Sequence, residues 1–241
     1  MPIELFRFLF ILVITFVTST LTLLTGFGVG TILTPTFALL YDVKTAVLLV
    51  SIVHLTNNLL KFGLFRRNLH LGILRRFGLV SIIGALAGSF AQNYLHSSIV
   101  AVALGCFLIV TGTLEFLPVN PFRIPRSFDQ AGGFFSGFMG GIIGNQGAIR
   151  SAYLLNYDLT KESFIGTGTA IAILIDLTRI PVYLTHQTVT IETAGPGLLV
   201  VILVAFGGTF LGKRLLRHLS LGRFRRVVAT FLILVGIRLF F

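Results

Sequence analysis

The chain has 241 residues, of which 55% are hydrophobic and only 11% charged, yet its net charge is +11. A soluble domain carries about 25% charged residues and keeps a large polar surface, so lipid must be the solvent for most of the exterior. A nucleic-acid-binding role is excluded by where the charge sits. The basic residues fall in short clusters between apolar runs, Arg66-Arg67, Arg75-Arg76, Arg123 with Arg126, Lys213-Arg214-Arg217 and Arg223-Arg225-Arg226, as in the cytoplasmic loops of membrane proteins.

A span needs about 20 apolar residues. The first run, 4–24, has no basic segment before it and is read as a retained helix rather than a cleaved signal. It ends at Gly26-Phe27-Gly28-Val29-Gly30. Behind that glycine-rich break comes a short apolar segment, 29–41, and then helices over 43–64, 72–93 and 97–117. The second half gives 128–144, a break at Gly144-Asn145-Gln146-Gly147, a short segment over 147–157, and helices over 159–184, 192–212 and 223–241. Thirteen helical residues reach only about 20 Å, so the two short segments read as half-helices that enter the membrane after a turn within it.

The halves repeat. Tyr41-Asp42-Val43 matches Tyr157-Asp158-Leu159, and Gly84, Gly88, Leu95 and Gly112 match Gly208, Gly212, Leu219 and Gly236 at one constant offset. The expected fold is all-α: a polytopic membrane protein of two five-element repeats, 1–117 and 128–241, joined by a cytoplasmic linker at 118–127. The basic connections 65–71, 118–127 and 213–226 should face the cytoplasm, and 94–96 and 185–191, which lack Lys and Arg, the outside. Helix 43–64 then runs inward and 159–184 outward, so the repeats are inverted, a construction of secondary transporters. The spaced glycine pairs predict close helix packing.

Candidate site residues cluster at the breaks. A helix that starts inside the membrane has unsatisfied N–H groups and a partial positive charge at its first turn. Two such starts, at Gly26, Gly28 and Gly30 and at Gly144, Asn145, Gln146 and Gly147, would favour an anion between them. Arg150 follows the second break, and its guanidinium suits an oxyanion; the bland alternative is an ion pair with Asp176. Helix 43–64 places Ser51, His54, Asn58 and Lys61 on one stripe with Asn57 beside it. Such a stripe faces a cavity or another helix. His54, Asn57 and Asn58 are expected at the substrate; Lys61, Asp176 and Arg179 are candidates for coupling or gating, although Asp176 and Arg179 are i, i+3 neighbours that can pair with each other.

Asp42 and Asp158 read as helix N-caps. The single cysteine, Cys106, and five scattered histidines have no metal-ligand spacing, and no cofactor is expected. No nucleophile–base pair is evident, and the glycine run lacks Rossmann spacing.

Gly26-Phe27-Gly28-Val29-Gly30 followed by Pro35 resembles the glycine-rich, proline-ended motif of the TauE/SafE family of sulfite exporters. The stretch Phe65-Arg66-Arg67-Asn68 up to Gly84 and Gly88 is similar to that family's basic loop and small-residue helix, and residues 208–240 to its closing helices. The resemblance implies multi-pass transport of sulfite, sulfonates or related organic anions, with motif glycines at Gly26, Gly28, Gly30, Gly144 and Gly147. Val29 interrupts the glycine run here, Asn145 and Gln146 replace small residues, and Ser151 stands near the second proline position. The expectation is a secondary transporter in the cell membrane that moves a small inorganic or organic anion, most simply by export. An anion channel and an intramembrane enzyme acting on a lipid-linked substrate are the alternatives. The other expected partner is the lipid bilayer; a homodimer is left open.

Overall fold

A computed structural model describes residues 2–25, 28–116, 125–186, 191–215 and 222–241. Gly26 lies outside the described residues, as do most of the 118–127 linker, the 187–190 connection and Arg217. Every described element is helical: α1 (Pro2–Thr25), α2 (Gly30–Ala38), α3 (Val43–Phe65), α4 (Leu71–Ile73), α5 (Leu79–Tyr94), α6 (Ser97–Leu114), α7 (Asp129–Ile143), α8 (Gly147–Leu154), α9 (Lys161–His186), α10 (Ile191–Leu215) and α11 (Gly222–Arg238). A π-turn over Leu74–Gly78 joins α4 to α5.

Among the described residues, six helices are long and apolar enough to cross a membrane. Phe6, Val13, Leu79, Ile83 and Leu203 are exposed along their flanks, as hydrocarbon contact requires. The two short segments are shorter than expected, nine residues for α2 and eight for α8, because each unwinds before its tyrosine. Both follow a glycine in the left-handed region, Gly28 at φ 82° and Gly144 at φ 73°. A side chain there would be strained. At Gly144 the turn closes α7, with its N–H donating to Gly140 O.

The halves interlock. α5 lies along α7 and α10 along α1; α3 packs on α9, and α6 on α11. Exchanging first-half for second-half elements turns this set of contacts into itself. The spaced glycines do the expected work: a Cβ at Gly84 or Gly88 would collide with the α7 backbone at Phe134 or Phe138, and one at Gly208 or Gly212 with the α1 backbone at Phe16 or Thr20. α3 and α9 run antiparallel, since Val47 and Leu48 pack on Tyr183 while Phe65 packs on Ile165. α6 and α11 do likewise, with Gly105 against Gly236 and Gly112 against Ala229.

The two predicted caps diverge. Asp42 caps α3, its carboxylate accepting from Lys44 N at 3.0 Å. Asp158 does not cap α9. That helix starts at Lys161, and Thr160 Oγ1 accepts from Ser163 N at 3.2 Å. Two more loop residues here shift the helix start, and Thr is itself a favoured cap.

Candidate functional site

The two breaks meet in the interior. A Cβ on Gly28 would sit 3.4 Å from both Arg150 Nη2 and His54 Nε2, and one on Gly30 3.4 Å from Gly144 O. Thr31 Oγ1 donates to Asn145 Oδ1 at 3.2 Å. The expected row of open N–H groups is only partly present at α2, where the Thr31 and Ile32 N–H groups already bond to Gly28 O and Val29 O. The first turn tightens toward 3₁₀ geometry and satisfies part of its own end.

Beside the breaks lies a small cavity of about 20 Å³ whose polar lining is Thr22, Gly28, Asn58, Lys61, Arg150 and Thr169. That is room for about one water. Leu154, Phe164 and Ile165 close its apolar side. Lys61 is seven residues beyond His54, about 10 Å along the helix. The cavity therefore lies toward the end of α3 that carries Arg66-Arg67, not level with His54.

Arg150 is 4% exposed, and its Nε and Nη1 have no hydrogen-bond partner. It does not pair with Asp176. That carboxylate is held by Arg179 instead, with Nε at 3.0 Å and Nη2 at 2.9 Å, and by His54 Nδ1 at 2.6 Å; Gln146 Nε2 approaches at 3.4 Å. Arg179 also donates to Gly140 O, and Tyr183 to Gly141 O. These carbonyls belong to the last turn of α7, where cations and donors satisfy the helix end. Asp176 and Arg179 thus fasten α9 to α7 and to His54 on α3.

The remaining predicted residues divide between the cavity and the scaffold. Asn58 lines the cavity, and its Nδ2 lies 3.1 and 3.2 Å from the two ring nitrogens of His54. Asn57 faces α10, accepting from Thr209 Oγ1 at 2.7 Å, and its Nδ2 is unpartnered. Ser51 bonds within its own helix to Leu48 O. Gly147 opens α8, and Ser136 Oγ donates to Gln146 O at 3.2 Å. Asn145 Nδ2 and Gln146 Oε1 are buried without partners. Gly28, Asn58, Lys61 and Arg150 therefore share the cavity, while Gly30, His54, Gly144, Asn145 and Gln146 are not part of its lining.

Sequence reasoning missed Gly168, whose Cβ position is 3.4 Å from Arg150 Nε, and Gly166, which lets α9 approach the Phe65 carbonyl. The run Gly166-Thr167-Gly168-Thr169 was the available signal: alternate small residues in a helix that has no need of them for lipid contact. Outside the spans, Arg126 stacks 4.9 Å from the Tyr157 ring, and Tyr157 donates to buried Asp129. Burial, then that hydrogen bond, pushes the Tyr157 phenol up to about 12.

Among the described residues no group of acidic, His and Cys side chains could hold a metal. The profile of the sulfite exporter TauE/SafE family matches residues 11–239. No curated protein and no solved structure matches the chain. The match covers nearly the whole length, and the chain belongs to the TauE/SafE family, whose members are transporters and not enzymes.

Proposed function

We propose that this TauE/SafE protein is a secondary carrier for a small oxyanion, which it binds in the cavity beside the two breaks and exports. One observation carries the reading: Arg150 is a buried cation with two donor nitrogens and no protein partner for either. Burying a charge without a partner is costly. A ligand oxyanion would supply paired, charge-assisted bonds, and Gly28 leaves the backbone beside it open. His54, fixed between Asp176 and Asn58, holds the wall in shape and is the group placed to link transport to protons. Arg66 and Arg67, exposed at the nearer end of α3, would draw anions toward the site.

Binding to purified protein tests this. Sulfite or sulfate should bind the wild-type chain, and Arg150→Gln should weaken binding about ten- to a hundredfold, the worth of a hydrogen bond to a charged group. Wild-type affinity in the variant would place the site elsewhere. The cavity has room for about one water, so a sulfate-sized anion needs its lining to move apart, as in a carrier; flux into vesicles should saturate and show counterflow, and flux linear in anion concentration would make the protein a channel.

Residues 1–117 and 128–241 are read as inverted repeats. The antiparallel pairing of α3 with α9 and of α6 with α11 supports this, because an axis in the membrane plane sets equivalent helices antiparallel. Cysteines placed at Asp42 and Asp158 should react with impermeant reagents from opposite faces. Reaction of both from one face would overturn the inversion.

A further inference from the structure

The cavity holds more positive charge than one monoanion can match. Lys61 and Arg150 both line it, each 4% exposed. Among the described side chains the buried carboxylates are Asp129 and Asp176. Asp129 is bonded to Tyr157 and does not line the cavity. Asp176 is taken up by Arg179. The other charged or titratable group packed around the wall, His54, shares the same carboxylate. Three basic side chains, Lys61, Arg150 and Arg179, thus stand against one aspartate, an excess of two.

We infer that the cavity is built for a doubly charged oxyanion, with Lys61 as the residue that sets this charge preference. The inference rests on the anion-carrier reading above and narrows its substrate class, from small oxyanions in general to dianions over monoanionic sulfonates. A dianion is harder to strip of water than a monoanion. Arg150 can offset that cost for one charge by two directed bonds, and Lys61 supplies a compact second charge for the other. With a monoanion in place Lys61 has no counter-charge, and it either stays buried and unmatched, which is costly, or gives up its proton; a dianion keeps it charged. The lining fits the division of labour: a planar fork on α8 and a point charge on α3.

The test compares sulfate with methanesulfonate, tetrahedral anions of similar size that differ by one charge. Calorimetry on the purified full chain should show sulfate binding at least about tenfold more tightly. Lys61→Gln should weaken sulfate by about tenfold or more and leave methanesulfonate nearly unchanged, with Lys61→Arg restoring most of the preference. Because the ligand series is run first on the wild-type chain, the inference does not depend on a variant that folds. Equal wild-type affinities, or a Lys61→Gln variant that weakens both anions alike or neither, would overturn the dianion assignment while the carrier reading stands. If neither anion binds the wild-type chain, the cavity is not the anion site and both fall.

Discussion

Arg150 and Arg179 are buried to nearly the same degree, 4% and 1% exposed, but their surroundings are opposite. Around Arg179 every direction is answered: Asp176 on its own helix, the Gly140 carbonyl across the gap, and Tyr183 one turn along on the neighbouring carbonyl. Around Arg150 the cavity is open, and two nitrogens are unpartnered. The first region is a fastening between α7, α9 and α3. The second leaves its buried charge without a counter-charge in the protein, as the proposed anion site requires.

The contrast breaks most readily at the arginines themselves. Arg179→Gln should leave Asp176 without its main counter-charge, and it should destabilise the protein by about 3–5 kcal/mol, read as a large fall in the unfolding temperature in detergent. Arg150→Gln removes a buried charge that has no partner, so the ligand-free protein should be no less stable than wild type. Equal destabilisation by both would erase the distinction between fastening and site.

The two left-handed glycines sharpen the same point on a smaller scale. Each should lose about 1–2 kcal/mol to backbone strain when changed to alanine. At Gly144 the new Cβ also meets both Val47 methyls, at 3.1 and 3.2 Å, whereas at Gly28 it meets Arg150 and His54 at 3.4 Å. Gly144→Ala should therefore cost more stability, and Gly28→Ala more anion affinity. A reversed order in paired melting and binding measurements would show that the cavity is not where the anion sits.

The smallest effects are at the caps, which compare the two halves directly. Thr160→Ala should cost about 1 kcal/mol. Asp42→Asn should cost almost nothing, since Asn caps as well as Asp, and Asp158→Asn should also be neutral because Asp158 caps no helix. Stability curves of the three variants check the order; a loss at Asp158 matching that at Thr160 would restore the symmetric capping that the sequence suggests.

Much of the fold was legible because lipid imposes simple rules. The apolar runs, the short segments behind glycines, and the spaced glycines at Gly84, Gly88, Gly208 and Gly212 each follow from length and side-chain size alone. Of the residues singled out in the sequence, Gly28, Asn58 and Arg150, expected at the substrate, and Lys61, expected in coupling or gating, line one cavity, and the Asp176–Arg179 pair was foreseen from its i, i+3 spacing. The Asp158 cap failed because sequence equivalence does not fix where a helix starts within two or three residues.

The sequence by itself determined what is local: which segments are helical and apolar enough to span, where the backbone must break, and which costly charges are placed inside. Tertiary structure alone decided which charge is answered and which is not. Arg150 and Arg179 both had Asp176 in prospect, 26 and three residues away along the chain. The i, i+3 spacing offers the carboxylate to Arg179, but only the crossing of α8 and α9 sets Arg150 apart from it, beside Lys61 and the cavity. Whether charges on different helices pair depends on distances of a few ångströms between segments far apart in sequence, and no periodicity along the chain encodes those distances.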